Sequence, residues 1–237
     1  EIISTPRKFF NLVRNNFSKF DKVIGYEDIK AELIRICDEV KNPEKYARLG
    51  VQMPRGIMLW GKPGLGKTLM AKCFIEESGC KTFIIRKEKP DGEMVNAIRD
   101  VFNKAKAEGR TIVFLDDLDK FANEDNQHPD AEEYVAVQAC IDSCKDSEVF
   151  VLATANDKWC LPGSLLRSGR FDKVIEMECP NGEDAVKVVN HYLSQKKSMG
   201  EVDAVVIARI LEGHSCADLE MVVNEAGIFA GFEGRDV

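Results

Sequence analysis

The sequence predicts an α/β fold in which a five-stranded parallel sheet lies between helices and is followed by a small all-helical domain. Short apolar runs alternate with segments of helical periodicity along most of the chain, which is typical of a parallel sheet with helices on both faces. Four of these runs are continuously apolar, as expected for strands that are buried on both sides. From about Pro180 onward only helix-like segments follow, and they predict the second domain.

The first 20 residues form an N-terminal segment that carries four basic side chains and one acidic side chain. Its apolar residues, which are mainly phenylalanines, fall near helical spacing. A helix that docks on a partner or on a membrane surface would show this pattern, but we favour a linker that packs on the following domain. An amphipathic helix is then expected up to Asn42 and Pro43, because proline cannot continue a helix.

Five strands are predicted from short apolar runs that are rich in β-branched and aromatic residues. They are GIMLW at 56–60, KTFII at 81–85, TIVFLDD at 111–117, EVFVLATAND at 148–157 and KVIEMEC at 173–179. A helix between the second and third strands is predicted from the spacing of Met94, Ile98, Val101, Phe102 and Ala105. The helix-like segments of the second domain are GEDAVKVVNHYLSQKK, EVDAVVIARIL and SCADLEMVVNEAGIFAGF.

The composition is that of a soluble globular protein, with 44% hydrophobic and 31% charged residues in a chain of 237. No apolar run approaches the roughly 18 residues that a membrane-spanning helix needs. The net charge of −7 argues against a protein that binds nucleic acid through a basic surface. Eight cysteines are scattered without a C-x-x-C pair, so we expect buried, reduced thiols and a cytoplasmic location.

The stretch GKPGLGKT at 61–68 matches the phosphate-loop pattern G-x-x-x-x-G-K-[ST] between a predicted strand and a predicted helix. Its glycines let the backbone aim N–H groups at phosphate oxygens, and the helix adds its positive N-terminal end. Lys67 is expected on the β- and γ-phosphates, and the Thr68 hydroxyl on Mg²⁺. The chain is therefore predicted to bind ATP or ADP with Mg²⁺. The expected contacts come from Pro63, Gly64, Leu65, Gly66, Lys67, Thr68 and Leu69.

The stretch TIVFLDDLDK at 111–120 is an apolar strand that runs into acids. Downstream of a phosphate loop, the acid that ends such a strand organises the metal ion. Asp116 is therefore expected to hold Mg²⁺ through a bound water. Asp117 stands at the position that polarises the attacking water, whereas we expect Asp119 to be a solvated or capping acid.

Further motifs follow the phosphate loop in order: VFLDD, ATAND, LLRSGRFD and EGHSCADLEMVVNEAG. Together with GKPGLGKT they resemble an AAA+ ATPase module of the AAA clade, and are most similar to the ATPase domain of FtsH-type membrane-anchored proteases. The resemblance covers the chain from about residue 20 to 232. It implies a linker at 1–20, a large nucleotide-binding domain at 21–179, and a helical lid at 180–237 that stops short of the last lid helix.

The resemblance also implies roles for three polar residues near the γ-phosphate. Asn156 of ATAND matches the sensor that orients the attacking water. Arg167 and Arg170 of LLRSGRFD match arginine fingers, whose guanidinium groups stabilise charge on the γ-phosphoryl oxygens of a neighbouring subunit. Such fingers imply self-association into a ring, typically a hexamer, and the family's ring members act on protein substrates.

Residues around the base are implied by the same resemblance. Ile24 and Gly25 of KVIGYED match the loop that lies against adenine. His191 matches a lid residue near the adenine or ribose, although a lone histidine on an apolar helix is otherwise a core residue. Ala217 belongs to the segment that covers the base, and Cys216 replaces the glycine that often precedes it in the family.

The chain departs from the family pattern at several points. Asp117 replaces the usual Glu and is one methylene shorter, and a displacement of about 1 Å at a catalytic group can cost roughly a hundredfold in rate. The region that faces the pore in translocating members, at 86–99, contains no aromatic residue. There Met94 and Val95 could grip a substrate, or Pro90-Asp91-Gly92 could form a simple turn.

Two further signatures of related proteins are missing. The stretch IDSCKD at 141–146 replaces the Asp-Gly-Phe element that connects neighbouring subunits. The zinc-protease motif H-E-x-x-H is absent, so we expect any protease part, like any membrane tether, outside this chain.

The leading interpretation is an Mg²⁺-dependent ATPase that remodels or unfolds proteins as a hexameric ring, for an FtsH-like protease or chaperone. The alternative is a nucleotide-dependent scaffold or switch that hydrolyses ATP slowly and does not thread a substrate. An AAA+ protein that acts on DNA fits the acidic balance poorly.

Overall fold

A computed structural model describes residues 18–50, 52–87, 93–122, 131–196 and 202–234. Its centre is a five-stranded sheet in which all strand pairs are parallel and the order is β2-β3-β4-β1-β5. The strands are β1 Gly56–Trp60, β2 Lys81–Ile85, β3 Thr111–Leu115, β4 Val149–Ala155 and β5 Lys173–Glu176. The helices are α1 Glu27–Lys41, α2 Pro43–Ala47, α3 Lys67–Ser78, α4 Glu93–Glu108, α5 Ala131–Ser143, α6 Gly182–Ser194, α7 Ala204–Ile210 and α8 Cys216–Phe232. The predicted fold class is confirmed.

The two faces of the sheet carry separate hydrophobic clusters, because successive side chains of a strand point to opposite sides. In β3, Val113 and Leu115 pack towards α4 and α5, whereas Ile112 and Phe114 pack towards α1 and α3. Every residue of β3 and β4 is buried. The expectation of burial on both sides is confirmed for the three inner strands β1, β3 and β4. It is wrong for a fourth run, because β2 and β5 are the edge strands of the sheet and most of their residues are exposed or half-buried.

Three strands end earlier than their apolar runs suggest. The acids at 116–117, the residues at 156–157 and those at 177–179 all lie beyond the last residue of their strand. These positions leave the sheet at its carboxyl edge, where their backbone and side chains become available for a site.

The helical segments follow their local sequence signals. α1 ends at Lys41, next to Asn42, and a separate short helix begins at Pro43, where a proline is tolerated at the first position. α8 begins with a capping box, in which the Ser215 hydroxyl accepts the Asp218 N–H and the Asp218 carboxylate accepts the Ser215 N–H.

The three C-terminal helices pack around their own hydrophobic cluster, which includes Val189, Leu193, Ala208 and Leu219. This separate core supports the proposed division into 21–179 and 180–237. Most of the N-terminal segment lies outside the described residues. Its last residue, Phe20, is buried in the cluster under α1 and α3.

None of the eight cysteines forms a disulfide; all lie within the described ranges, four are buried and Cys160 is exposed. No helix in the described part of the chain is long and apolar enough to cross a membrane.

Candidate functional site

The carboxyl ends of β1, β3 and β4 lie side by side, and the motif residues leave the sheet there. The phosphate loop follows β1, the acids follow β3 and Asn156 follows β4. Ligands of open parallel sheets bind at this edge. The strand order thus brings together segments that are far apart along the chain.

The phosphate loop needs glycine at two positions because other parts of the chain come too close for a side chain. A Cβ atom on Gly61 would lie 2.2 Å from the carbonyl oxygen of Met177. A Cβ atom on Gly64 would lie 2.7 Å from Ser215 Oγ and 2.9 Å from Ala217 Cβ, both at the start of α8. Gly64 therefore allows the helical domain to rest directly on the loop.

Lys67 lies inside the phosphate loop, with 5% of its surface exposed. Its Nζ donates to the carbonyl oxygens of Gly61 at 2.7 Å and Lys62 at 2.8 Å. Burial lowers the pKa of Lys67, and the nearby carboxylates of 116, 117 and 119 oppose that shift. The ammonium is thus held by neutral acceptors, and a phosphate would be a stronger, charged partner for it.

The other residues of the loop differ in exposure. Leu65 is buried in the core, whereas Pro63 and Leu69 are exposed at the surface around the loop. Leu65 therefore anchors the loop, and its backbone rather than its side chain is available to a ligand.

The Asp116 carboxylate is buried, with 6% of the residue exposed, and it accepts hydrogen bonds from three side chains. Its Oδ1 accepts the hydroxyl of Thr68 at 3.0 Å and the hydroxyl of Thr154 at 2.8 Å. Its Oδ2 accepts Nε of Arg86 at 2.8 Å and forms an ion pair with the same guanidinium at 2.7 Å. The backbone N–H of Asp116 donates to Ile85. The carboxylate is therefore fixed in one orientation.

The donor set at this point suits Mg²⁺. The hydroxyl of Thr68 and the carboxylate of Asp116 are hard oxygen ligands, 3.0 Å apart, beside a phosphate loop. Mg²⁺ in nucleotide sites is held by one or two such groups together with phosphate oxygens and water. The residues present therefore fit the ion.

Asp117 adopts a left-handed backbone conformation, with φ of 55°, which aspartate tolerates better than most residues. Its N–H donates to the Thr154 hydroxyl at 2.9 Å, and its Oδ2 pairs with Lys120 Nζ at 2.5 Å. Its Oδ1 lies 3.5 Å from Nδ2 of Asn156. The structure thus brings Asp117 and Asn156 together, with a lysine on the far side of the carboxylate.

Asp119 differs from the solvated or capping acid that the sequence favours. Its Oδ1 accepts the backbone N–H of Asn156 at 3.0 Å. The carboxylate therefore ties the turn after β3 to the end of β4 and fixes the backbone of Asn156.

The two arginines of LLRSGRFD occupy different environments. Arg170 pairs with Asp142 through Nε at 3.0 Å and Nη2 at 2.7 Å, and it also donates to the carbonyl of Ser164. The hydrogen bonds from Arg170 hold the pKa of the Asp142 carboxyl below its usual value. Arg167 is exposed at the surface. Arg170 is therefore bound within its own chain, while Arg167 is oriented towards solvent.

The lid contacts the phosphate loop directly. The N–H of Ala217 donates to the carbonyl oxygen of Gly64 at 3.1 Å. The Cys216 thiol lies 3.7 Å from the hydroxyl of Tyr26, the residue that follows the predicted base-contacting Ile24 and Gly25. The structure therefore places these four predicted residues near the boundary between loop and lid.

Tyr26 helps to join the two domains. Its N–H donates to Asp184 of α6 at 3.1 Å, and its hydroxyl donates to the carbonyl of Glu178 at 2.9 Å. Burial raises the pKa of Tyr26 and of the Cys216 thiol, so both groups stay protonated at neutral pH. Ile24 packs against the lid core.

His191 is the predicted site residue whose surroundings differ most from the expectation. It is exposed on α6, with its ring nitrogen 3.0 Å from Gln195 Nε2 and its ring edge-on to Tyr192. Among the described residues, no hydrogen bond joins His191 to the phosphate loop or to residues 24–26.

The region that could face a pore is only partly described. The turn Pro90-Asp91-Gly92 lies outside the described residues. Met94 is 2% exposed and packs in the core, and Val95 packs beside it. The expectation that Met94 could grip a substrate is wrong, because its side chain is part of the interior.

Sequence reasoning missed Arg86, Thr154 and Tyr26. Thr154 carries a weak signal, since a polar residue inside a completely buried strand needs a hydrogen-bonding partner. Arg86 and Tyr26 carry no local signal, because their partners are distant in the sequence.

Comparison with known proteins identifies a family and several relatives that this chain resembles. The family described as "ATPase family associated with various cellular activities (AAA)" matches residues 57–179. The "ATP-dependent zinc metalloprotease FtsH" of Leptotrichia buccalis is 34% identical over 230 residues, which cover 92% of this chain and 30% of the relative.

Two eukaryotic proteins show a comparable likeness. The "Mitochondrial inner membrane i-AAA protease supercomplex subunit YME1" of Saccharomyces cerevisiae is 32% identical over 220 residues, 90% of this chain and 30% of the relative. The "ATP-dependent zinc metalloprotease YME1 homolog" of Caenorhabditis elegans is 34% identical over 220 residues, 89% of this chain and 30% of the relative. The chain thus spans 30% of the length of these three relatives. The resemblance found in the sequence is confirmed.

Proposed function

The chain belongs to the AAA family of ATPases, and from that premise we propose that it binds ATP with Mg²⁺ and hydrolyses it to ADP and phosphate. The observation that carries the proposal is the convergence of three segments at one edge of the sheet. Thr68 and Asp116 lie 3.0 Å apart beside the phosphate loop, and Asp117 and Asn156 lie next to them.

Each residue has a distinct part in the proposed reaction. The backbone N–H groups of the loop and Lys67 bind the phosphates. Thr68 and Asp116 would hold Mg²⁺, which in such sites neutralises charge on the β- and γ-phosphate oxygens. Asp117 accepts a hydrogen bond from the attacking water and orients it, and Asn156 holds that water towards the γ-phosphate.

A ring assembly is part of this proposal. The exposed guanidinium of Arg167 is suited to reach a neighbouring subunit's γ-phosphate, where a fixed positive charge stabilises the transition state. Arg170 is paired with Asp142, so we assign it to fixing the loop that carries Arg167. The proposed ring is a hexamer.

We further propose that ATP hydrolysis drives remodelling or unfolding of protein substrates, for an FtsH-like protease or chaperone. The support is that the relatives are named as ATP-dependent zinc metalloproteases. A protease part and any membrane tether would lie outside residues 1–237, and a cytoplasmic location is proposed for this module.

One group of observations favours the second candidate, a slow nucleotide-dependent switch. Asp117 has a short side chain, and Lys120 Nζ, 2.5 Å from its Oδ2, already occupies one of the two oxygens that could contact the attacking water. Met94, which could have formed a soft grip in the pore region, is buried. Under this alternative the chain binds ATP and orders a ring without rapid turnover.

Nucleotide binding and assembly provide the first test. Calorimetric titration with a non-hydrolysable ATP analogue and Mg²⁺ should show binding to the wild-type protein and a strong loss in Lys67→Ala. Sedimentation should show a nucleotide-dependent shift from monomer to a larger ring. Wild-type protein that binds no nucleotide would contradict both candidates.

A further inference from the structure

The pairing of Arg86 with Asp116 follows from strand register. β2 and β3 are parallel neighbours, and Ile85 is the partner of Leu115 at the carboxyl edge of the sheet. The residues that follow, Arg86 and Asp116, therefore leave the sheet side by side. The hydrogen bond from Asp116 N–H to the Ile85 carbonyl, 3.0 Å, keeps the two segments together beyond the strands.

The two oxygens of Asp116 have different partners. Oδ1 receives the hydroxyl groups of Thr68 and Thr154, whereas Oδ2 receives Nε of Arg86 at 2.8 Å and Nη2 at 2.7 Å. The positively charged guanidinium thus pairs with the carboxylate that the proposed function assigns to Mg²⁺. A metal ion or its bound water would need the same carboxylate.

The exposure of the two side chains is unequal. The Asp116 side chain is 7% exposed, whereas the Arg86 side chain is 42% exposed. Asp116 is fixed by its two threonine partners, but Arg86 has room to swing into solvent on its long side chain. In the Arg86–Asp116 ion pair, Arg86 is therefore the side chain that can move away from the other.

Among the described residues, the acids and cations that interact around Asp116 are equal in number. The carboxylates of Asp116, Asp117 and Asp119 all act electrostatically on Lys67 and on Lys120. Arg86 adds a third positive charge to these three negative charges. A dication that arrived alone would meet no net negative charge on these six described groups, whereas one that arrived with nucleotide phosphates would bring negative charge with it.

We propose that Arg86 is an internal counter-ion that occupies Asp116 in the absence of metal and competes with Mg²⁺ for it. The proposal rests on the Mg²⁺-nucleotide site of the proposed function. It makes Mg²⁺ binding dependent on nucleotide phosphates, because only then does the added charge offset the displacement of the guanidinium.

Arg86→Gln tests the competition. The measurement is the Mg²⁺ concentration that gives half-maximal binding of a non-hydrolysable ATP analogue, by calorimetry, with EDTA as the metal-free reference. Removing the positive charge that pairs with the carboxylate that would hold Mg²⁺ should lower that concentration about five- to tenfold. Analogue binding in EDTA should change much less, so the ratio of the two affinities rises.

Arg110→Gln is the matched control. Arg110 precedes β3, at the opposite end of the strand from Asp116, and its side chain is 39% exposed, close to the value for Arg86. Its guanidinium contacts the Lys41 carbonyl and Glu148. We expect the Mg²⁺ requirement of this variant to equal that of the wild type.

Thermal unfolding gives a second readout that does not depend on turnover. Without metal and nucleotide, Arg86→Gln should unfold at a lower temperature than the wild type, because Asp116 loses its ion partner. With Mg²⁺ and the analogue, that difference should shrink or reverse. If Arg86→Gln does not fold, Arg86→Lys is measured in its place. It retains the charge without the two-nitrogen contact, so its Mg²⁺ requirement should fall below that of the wild type by less than the factor expected for Gln.

The possible outcomes distinguish a failure of the counter-ion role from a failure of the proposed function. An unchanged or increased Mg²⁺ requirement in both Arg86 variants, with normal nucleotide binding, overturns the counter-ion role alone. Failure of the wild type to bind the analogue, with or without Mg²⁺, overturns the proposed function instead.

Discussion

The N–H of Ala217 donates to the carbonyl oxygen of Gly64 over 3.1 Å, so the first turn of the lid helix α8 rests on the phosphate loop. This hydrogen bond joins the C-terminal helical domain to the phosphate loop of the large domain. We therefore expect the position of α8 and the shape of the loop to depend on each other.

Gly64→Ala should disrupt that coupling. A Cβ atom there would lie 2.7 Å from Ser215 Oγ and 2.9 Å from Ala217 Cβ, at a φ of +80°. Overpacking of this kind costs about 1–3 kcal/mol, so we expect nucleotide affinity to fall roughly tenfold or more. The control is Gly109→Ala, which has φ of +85° but no atom within 4 Å of the added Cβ. Equal affinities in the two variants would show that the lid contact does not matter for binding.

Asp117→Glu tests whether the site is built around the shorter acid. Asp117 is held by Thr154, by Lys120 and at 3.5 Å by Asn156, in a left-handed conformation that glutamate tolerates less well. A misplacement of about 1 Å can cost roughly a hundredfold, so we expect ATP turnover to fall by ten- to hundredfold. A rise in phosphate release, with unchanged thermal stability, would instead favour the slow switch.

Thr154→Val removes the hydroxyl that joins the two acids. This residue is fully buried, and its Oγ1 donates to Asp116 and accepts the N–H of Asp117. Leaving buried polar groups without a partner costs about 1–3 kcal/mol in the free energy of unfolding. Denaturant unfolding should show this loss, and a smaller one for Thr82→Val, whose hydroxyl donates to the Cys80 carbonyl from a half-buried position. Similar losses of unfolding free energy in both variants would contradict the role of the Thr154 hydroxyl in joining the two acids.

The Asp142–Arg170 pair predicts a pH dependence of stability. Hydrogen bonds from Arg170 depress the folded pKa of Asp142 below its ordinary 3.8. The stabilisation is therefore complete above that ordinary value and is lost as the pH falls through the folded pKa. Asp142→Asn should lower the melting temperature near pH 6, and its difference from wild type should narrow below about pH 4.

Asp146→Asn is the control for this measurement, because that aspartate is exposed in the turn after α5. A difference between wild type and Asp142→Asn that stays constant from pH 6 to pH 3 would contradict an ionic role for the pair.

Much of the fold was predictable because its signals are local. The apolar runs of β3 and β4 and the helical periodicity of α4 are properties of short segments, and all three elements are present. The ends of the strands were less predictable. Asp116 and Asp117 extend an apolar run in the sequence, but they leave the sheet because their side chains need polar partners.

The candidate site was predictable only where a motif carries it. The phosphate loop and Asp116 can be identified in the sequence by pattern alone. Arg86 could not be, because its position beside Asp116 depends on β2 being the neighbour of β3, which no local pattern states. Motif reasoning also treated Arg167 and Arg170 alike, whereas the ion pair with Asp142 separates them.

The central claim, that this chain hydrolyses ATP at the phosphate loop, is tested most directly by phosphate release. Wild type and Lys67→Ala would be compared with ATP and Mg²⁺, over protein concentrations that span assembly into rings. We predict steady release by the wild type, abolished by EDTA, and a loss of about a hundredfold or more in Lys67→Ala, since a charge that stabilises the transition state is removed. No phosphate release by the wild type at any concentration, or equal release by the variant, would contradict the account.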